Sequence, residues 1–147
     1  MAKFAFSLET LLQHREKIEQ KERDELFRRI YNYQIELQNR NVLTGRLKDT
    51  MEELGRKQCE ISDSPELTWF YLYINRLRQE IQESEKKLWQ IDAGVQEQKK
   101  IVIEASKKKK MLVSLRDRQE KEYIRALEKR EQKEIDELVV TRYANKA

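Results

Sequence analysis

The chain has very few of the residues that end or bend a helix. Among its 147 residues are three glycines and one proline, the residue types that most often mark turns. The backbone therefore has few places at which to reverse direction. A fold of many short helices or strands is excluded, and we expect a small number of long elements.

Cysteine and histidine are equally scarce, and this limits the chemistry. Cys59 is the one cysteine and His14 the one histidine, so no internal disulfide and no cysteine-histidine metal cluster can form. Gly45, Gly55 and Gly94 lie far apart, which rules out a glycine-rich phosphate-binding loop. We predict no enzymatic activity, no cofactor and no metal site, and a reducing compartment.

Long apolar runs are missing as well. The longest, Trp69 to Ile74, has six residues, whereas a membrane-spanning helix needs about 20. The residues before Glu9 do not form the apolar core of a secretory signal. Charge is abundant in both signs, with 31 basic and 27 acidic residues and a net charge of +4. This composition is typical of solvent-exposed helices, and we expect a soluble cytoplasmic protein.

What is present is an apolar repeat with alternating steps of four and three residues, which is typical of a coiled coil. In the first half, eight of eleven positions are apolar, and in the second half eleven of fourteen are apolar. The first series is Leu26, Ile30, Tyr33, Leu37, Arg40, Thr44, Leu47, Met51, Leu54, Gln58 and Ile61. The second is Leu67, Phe70, Ile74, Leu77, Ile81, Ser84, Leu88, Ile91, Val95, Gln98, Val102, Ala105, Lys109 and Leu112.

Turn-forming residues separate the two series at Ser62-Asp63-Ser64-Pro65-Glu66. Ser64 is a suitable helix cap, and proline is well tolerated at the first helical position. We therefore predict an all-α fold, a long antiparallel two-helix coiled-coil hairpin that forms a single domain over residues 1–147. Helix one is predicted at about 7–61, the bend at about 62–64 and helix two at about 65–140.

Folding at residue 63 predicts the facing partners. Leu54 should lie near Tyr73, Leu26 near Val102 and the amino-terminal Leu8 near Gln119. At about 1.5 Å per residue the two helices make a stiff rod with both termini near one end. Few apolar residues occupy 14–25 and 119–137, so we expect looser pairing there.

The start of the second helix has more aromatic side chains than one seam can bury. Trp69, Leu72, Tyr73 and Arg76 form a second stripe beside the seam, and exposed aromatics next to arginine are common in protein interfaces. We interpret this stripe as a binding surface. The alternative is that the end of helix one or the bend covers these rings.

A second group is basic: Lys107 to Lys110, with Lys99 and Lys100 before it. Four consecutive residues spread around a helix, so a solvated collar is one interpretation, and a site for an acidic protein is another. Nucleic-acid binding would call for a longer basic face with stacking aromatics. The charged residues near the two termini are interpreted either as solvated helix or as a polar contact with a larger assembly.

The opening Phe4-x-Phe6-x-Leu8-Glu9-x-Leu11-Leu12-x-x-Arg15, the break near residue 63, the aromatic start of helix two and the ending Glu134-Ile135-Asp136-Glu137-Leu138 resemble the flagellar export protein FliJ family. The resemblance covers nearly the whole chain. It implies an antiparallel coiled coil similar to the rotor stalk of rotary ATPases. It also implies that the end with the termini binds the hexameric export ATPase FliI and promotes its assembly, and that the chain contacts the export gate protein FlhA.

The resemblance also implies residues. For the export gate it points to an aromatic residue and a leucine one turn later, here Tyr73 and Leu77, with Trp69 on the same stripe. Glu80 and Ser84 stand where the family has a small residue and a histidine, so the match ends there. For the ATPase it points to the ends of both helices, and the residues predicted there are Arg15, Lys17, Glu134, Asp136 and Glu137.

The resulting prediction is a central-stalk and coupling component of the flagellar type III export apparatus. It would be a monomer in isolation, cytoplasmic and peripherally associated with the cytoplasmic face of the export apparatus. The alternatives are a generic coiled-coil scaffold, including a parallel homodimer, an injectisome stalk protein, and a nucleic-acid-binding helical rod that uses residues 99–110. Binding of export chaperones is left open.

Overall fold

The computed structural model describes residues 3–58 and 65–146, and within these ranges every regular element is helical. Helix α1 runs over Glu9–Lys57, with 49 residues, and helix α2 runs over Pro65–Lys146, with 82 residues. The two helices pack against each other in opposite directions. The predicted all-α, antiparallel two-helix fold is confirmed.

The described helix ends follow ordinary helix chemistry. The N–H of Glu9 donates to the carbonyl of Phe6 at 3.2 Å, and α2 begins at Pro65, whose missing N–H needs no partner at that position. Glu66 lies in the first turn of α2 and Lys57 in the last turn of α1, as the helix dipole favours. The predicted bend and the Ser64 cap lie outside the described residues.

Two compact units divide the chain, one containing residues 3–21 and 103–146 and the other residues 22–58 and 65–102. In the first unit, Leu12 and Phe6 are buried. The Phe4 and Tyr123 rings meet at 5.7 Å between centroids, and Lys109 Nζ lies 3.0 Å from the buried carboxylate of Glu19. The first unit therefore combines an apolar core near the start of α1 with a polar contact further along.

In the second unit, Leu54, Phe70 and Ile74 form an apolar cluster, with Leu47 and Leu67 packed against it. Apolar burial is the main favourable term for such contacts. The cluster joins the last turns of α1 to the first turns of α2.

Lys57 adds a polar link at the same place. Its ammonium lies 3.4 Å from a carboxylate oxygen of Glu53 and 3.4 Å from one of Glu66, and 5.6 Å from the centre of the Phe70 ring. Hydrogen bonds to Glu53, which has the larger effect, and to Glu66 raise the pKa of Lys57 above its ordinary value. The lysine thus stays charged where α1 and α2 adjoin.

The antiparallel direction is visible in the contacts of the second unit. Lys57 pairs with Glu66 and Arg40 with Glu85, while Gln98 bonds to an α1 residue still earlier in the chain, Glu22. Residue numbers therefore fall along α1 as they rise along α2. These pairs place α2 roughly one helical turn away from the predicted register.

The seam of α2 is the predicted one. All fourteen positions of the second series, from Leu67 to Leu112, are buried or half-buried. Phe70, Leu77 and Val95 are among the core residues. The repeat of four and three residues is maintained over this length of α2, as a coiled-coil seam requires.

The seam of α1 agrees with the prediction at every seventh position, from Leu26 to Leu54. Between these positions the prediction was wrong at three places in the carboxyl-terminal half of α1, because Thr44, Met51 and Gln58 are exposed. The residue before each of them is buried or half-buried instead: Leu43, Thr50 and Lys57. The observed seam takes steps of three where the prediction took four.

Hydrogen bonds explain why polar residues occupy this seam. Arg29 donates from Nη1 to the carbonyl of Gly94 at 2.9 Å, and the Ser84 hydroxyl donates to Glu36 at 2.7 Å. Thr50 donates to the carbonyl of Arg46 within its own helix at 2.7 Å. A polar side chain with a bonding partner can face another helix without a large desolvation cost. A count of apolar residues therefore preferred Met51 to Thr50, whereas the regular alternation of four and three residues passed over the apolar Leu43 in favour of Thr44.

Candidate protein-binding surfaces

The first candidate surface lies at the start of α2 and consists of Trp69, Leu72, Tyr73 and Arg76; we call it the aromatic surface. Phe70 and Ile74 point into the seam, so residues 69, 72, 73 and 76 follow an adjacent line on the helix. Trp69 and Leu72 are exposed, whereas Tyr73 is half-buried.

The rings of the aromatic surface hold each other in place. Trp69 and Tyr73 stack with centroids 5.2 Å apart and planes at 6°, and Trp69 meets Phe70 edge-on at 5.3 Å. Phe70 is a core residue, so it anchors the pair to the seam. A stacked, partly fixed pair loses little conformational freedom on binding, which favours its use as an interface anchor.

Leu77, the third residue predicted to contact the gate, is only 2% exposed and lies in the seam. Of the two positions that depart from the family pattern, Glu80 accepts a hydrogen bond from Arg76 at 3.1 Å, and Ser84 is buried against α1. The aromatic surface therefore ends near Arg76. The alternative was that the end of helix one or the bend covers these rings. It concerns residues 59–64, which lie outside the described residues.

The second candidate surface contains the residues predicted to contact the ATPase, all in the unit that carries the termini. Glu16, which separates Arg15 from Lys17, lines a groove with Lys109 and Asp117. From Asp117 to Glu134 the helix rises about 25 Å. The structure therefore places Arg15 and Lys17 beside one stretch of α2, and does not bring them together with the acidic group that follows.

That acidic group, Glu134, Asp136 and Glu137, lies in a stretch of α2 where every residue is exposed, from 128 to 146. Before this stretch, the Tyr123 ring contacts Phe4, which precedes α1, and Leu127 is half-buried. From residue 128 to residue 146, no residue of α2 is buried or half-buried.

The exposed stretch of α2 also carries an apolar face that the sequence analysis missed. Ile135, Leu138, Val139 and Tyr143 are all exposed and lie on one side of the helix because their spacing is three, four and eight residues. We call this the carboxyl-terminal face. The sequence signal for this face was the apolar run 138–140, which lies at helical spacing from Ile135. Recognising it also required knowing that helix α1 does not cover them.

Helical spacing places the predicted acidic residues around this face differently. Successive residues turn by about 100°, so Glu134 and Asp136 lie along its two edges, whereas Glu137 lies on the opposite side of α2. An apolar centre with charged edges is the usual arrangement of a protein interface.

The lysine-rich segment is distributed around α2. Lys107 pairs with Glu104 at 3.7 Å and Lys100 with Glu97 at 3.6 Å, both on the exposed side, while Lys109 turns to α1. Exposed pairs of this kind contribute little to stability.

No metal site and no membrane-spanning helix was found in the described ranges. Residues 3–58 and 65–146 contain no group of three or more histidine, cysteine, aspartate or glutamate side chains placed to hold a metal ion. In the same residues no helix has both the length and the apolar character that crossing a bilayer requires. His14 is exposed, and Cys59 lies outside the described residues.

Comparison with known proteins gave one result. A protein-family model described as "Flagellar FliJ protein" matches residues 4–147. Searches of curated proteins and of solved structures found no match. The match includes both helices, the aromatic surface and the carboxyl-terminal face.

Proposed function

Because the chain belongs to the FliJ family and is therefore a component of the flagellar export apparatus, we propose that it acts as the central stalk of this apparatus. In this role it binds the hexameric export ATPase, promotes assembly of the hexamer and contacts the export gate protein. It couples these partners by binding and does not hydrolyse ATP. The proposal puts it in the cytoplasm, at the cytoplasmic face of the export apparatus.

The observation that carries the ATPase contact is the carboxyl-terminal face. It is apolar, it belongs to a stretch of α2 in which every residue is exposed, and Glu134 and Asp136 edge it. Burying an exposed leucine or isoleucine contributes about 1.5 to 3 kcal/mol per side chain, whereas exposed charge pairs contribute less than about 1 kcal/mol. We therefore assign the binding energy to Ile135, Leu138 and Val139.

The predicted charged residues then have a different part. Glu134 and Asp136 set the orientation of the complex and its association rate, as charged residues at the rim of an interface do. Glu137, on the opposite side of α2, reaches a second surface of the same partner. Arg15 and Lys17 lie beside an earlier stretch of α2, and in this proposal they contact the ATPase at a separate place.

For the export gate we propose the aromatic surface, with the Trp69–Tyr73 stack as its anchor. Aromatic residues next to arginine carry a large share of the binding energy in many interfaces. Leu77 is in the seam, so in this proposal it holds α2 against α1 and does not contact the gate protein itself. The family match is to flagellar proteins, which favours a flagellar apparatus over an injectisome.

The test of the ATPase contact is a pair of double variants. Leu138→Gln with Val139→Gln is expected to weaken binding to the purified export ATPase at least about tenfold. The control is Ile101→Gln with Ile103→Gln, two aliphatic residues that are also exposed on α2. All four positions are exposed, so circular dichroism should show unchanged helicity. Binding is measured by biolayer interferometry and hexamer assembly by mass photometry.

Unchanged ATPase affinity of the Leu138 and Val139 variant would remove the carboxyl-terminal face from the proposal. An equal loss in the control would point to a general effect of added polarity. The gate contact is tested in the same format: Trp69→Ala with Tyr73→Ala should abolish binding to the gate protein, while Trp89→Ala, at another exposed tryptophan, should not.

A further inference from the structure

Helix α1 carries an apolar stripe on the side away from α2. Its members are Phe27, Tyr31, Ile35 and Val42, which are between 47% and 67% exposed. Steps of four, four and seven residues keep them on one side of the helix. The α1 seam, which contains Tyr33 and Leu47, lies on the opposite side. We call this stripe the outer α1 face.

Charge is absent from the outer α1 face between Tyr31 and Val42, whereas beside Phe27 the exposed Arg28 pairs with Glu25 at 2.8 Å. Between Ile30 and Gly45 only Glu36 and Arg40 are charged, although 39% of the chain is charged. Both are turned towards α2: Ser84 donates to Glu36 at 2.7 Å, and Arg40 lies 3.9 Å from Glu85. The exposed polar residues of this segment are amides and a threonine. Uncharged, aromatic surface is a compositional mark of protein interfaces.

We propose that the outer α1 face binds the same face of a second copy of this chain, with the two α1 helices antiparallel. Between Tyr31 and Val42 the face can meet itself without like-charge repulsion, whereas most other surfaces of this highly charged chain cannot. A two-fold axis also needs a self-complementary surface. Between Tyr31 and Val42 the face has no exposed cation, which argues against a nucleic acid or an anionic membrane as the occupant.

The order of side-chain sizes supports the antiparallel arrangement. With the two-fold axis near Ile35, Phe27 of one copy lies against Val42 of the other, and Tyr31 lies against Gln38. Large side chains then face smaller ones along the whole contact. In a parallel pair, Phe27 would meet Phe27 and Val42 would meet Val42, so the spacing between the helices would be uneven.

The size of the outer α1 face sets the strength of the dimer. Its four exposed side chains offer about 400 Å² per copy, and a standard interface buries about 800 Å² per partner. An area of about half the standard value is typical of weak, reversible contacts, and we expect a Kd of about 10 to 100 µM. The chain is then monomeric in dilute solution and dimeric when concentrated. This inference does not rest on the proposed function.

Sedimentation equilibrium tests the dimer from about 1 to 300 µM protein. The mass of the natural chain should rise from 17.9 kDa towards twice that value. Tyr31→Lys with Ile35→Lys should raise the Kd at least about tenfold, because the cations introduced at position 35 meet near the two-fold axis and position 31 loses an apolar contact. The matched control, Trp89→Lys with Ile101→Lys, replaces an equally exposed aromatic and isoleucine on α2 and should leave the Kd unchanged.

A constant mass of 17.9 kDa at every concentration would overturn the proposal, and so would an equal loss of association in the control. All four substituted residues are exposed, and circular dichroism of each variant checks that the hairpin is intact. Failure here leaves ATPase and gate binding untouched, since neither assay uses the outer α1 face.

The orientation of the dimer is tested with spin labels in a Cys59→Ser background. A label at Gln34, near the two-fold axis, should give a short distance between copies. A label at Asp49 should give a distance about 40 Å longer, because the two positions move apart along antiparallel helices at 1.5 Å per residue. Equally short distances at both positions would indicate a parallel pair and would contradict the proposed arrangement.

Discussion

Leu77 offers the sharpest test of how the chain divides its apolar residues between seam and partner. The resemblance to the FliJ family marks it as a gate contact, but it is only 2% exposed and lies in the seam, three residues after Ile74. Leu72, five residues earlier on the same helix, is 64% exposed. The two leucines therefore form a matched pair for alanine substitution.

Replacing a buried leucine by alanine removes its transfer free energy and leaves a cavity, at a cost of about 2 to 5 kcal/mol. We expect Leu77→Ala to lower the free energy of unfolding by about 3 kcal/mol. Leu72→Ala should change it by less than about 0.5 kcal/mol, because most of that side chain is already in water. Alanine is also the better helix former, which slightly offsets both losses.

Urea unfolding followed by circular dichroism at 222 nm measures both values, and binding to the purified gate protein is measured where both variants are fully folded. The expected result is a stability loss confined to Leu77→Ala and a gate affinity reduced only by Leu72→Ala. Unchanged stability of Leu77→Ala, together with lost gate binding, would refute the placement of Leu77 in the seam.

Three further predictions concern the polar contacts. Lys109→Met should cost about 1 to 2 kcal/mol more than Lys108→Met in urea unfolding, because Lys109 Nζ lies 3.0 Å from the buried Glu19 carboxylate whereas Lys108 is exposed; equal costs would contradict that pairing. Gln98→Ala should cost about 1 to 3 kcal/mol more than Gln96→Ala, since Gln98 is 2% exposed and donates across the seam. Raising NaCl to about 1 M should change stability by less than about 1 kcal/mol, as the exposed ion pairs are weak.

The sequence was sufficient for the fold and for the seam of α2. The chain has few turn-forming residues, and these cluster before Pro65. Together with the apolar repeat from Leu67 to Leu112, they predict two long helices. On α2 the apolar repeat and the buried positions coincide because nearly every seam position is apolar. The three polar exceptions, Ser84, Gln98 and Lys109, each bond to a residue of α1.

The seam of α1 could not be predicted in the same way. Ile30 and Leu37 suggest one phase of the repeat, but the structure also draws Arg29 and Glu36 towards α2 and, further on, buries Thr50. The hydrogen bonds of Arg29 and Glu36 are made with atoms of α2, whose positions depend on the register of the two helices. A count of apolar residues contains no information on such partners.

The candidate surfaces were predicted only in part. The aromatic surface followed from crowding of large side chains near Trp69, which is a property of the sequence. The carboxyl-terminal face and the outer α1 face could not be predicted from the sequence. Ile135 and Phe27 are recognised as exposed only when the residues that pack against each helix are known. Exposure of an apolar side chain is a property of the packed pair of helices.

The antiparallel pairing of α1 and α2 within one molecule underlies every surface assigned here, and it can be measured directly. Asn39 and Glu83 line the same groove between the helices, so spin labels at these two positions, in a Cys59→Ser background diluted with unlabelled protein, should lie about 10 to 20 Å apart. A distance of about 65 Å, as one uninterrupted helix would give, would contradict the hairpin and the surfaces assigned to it.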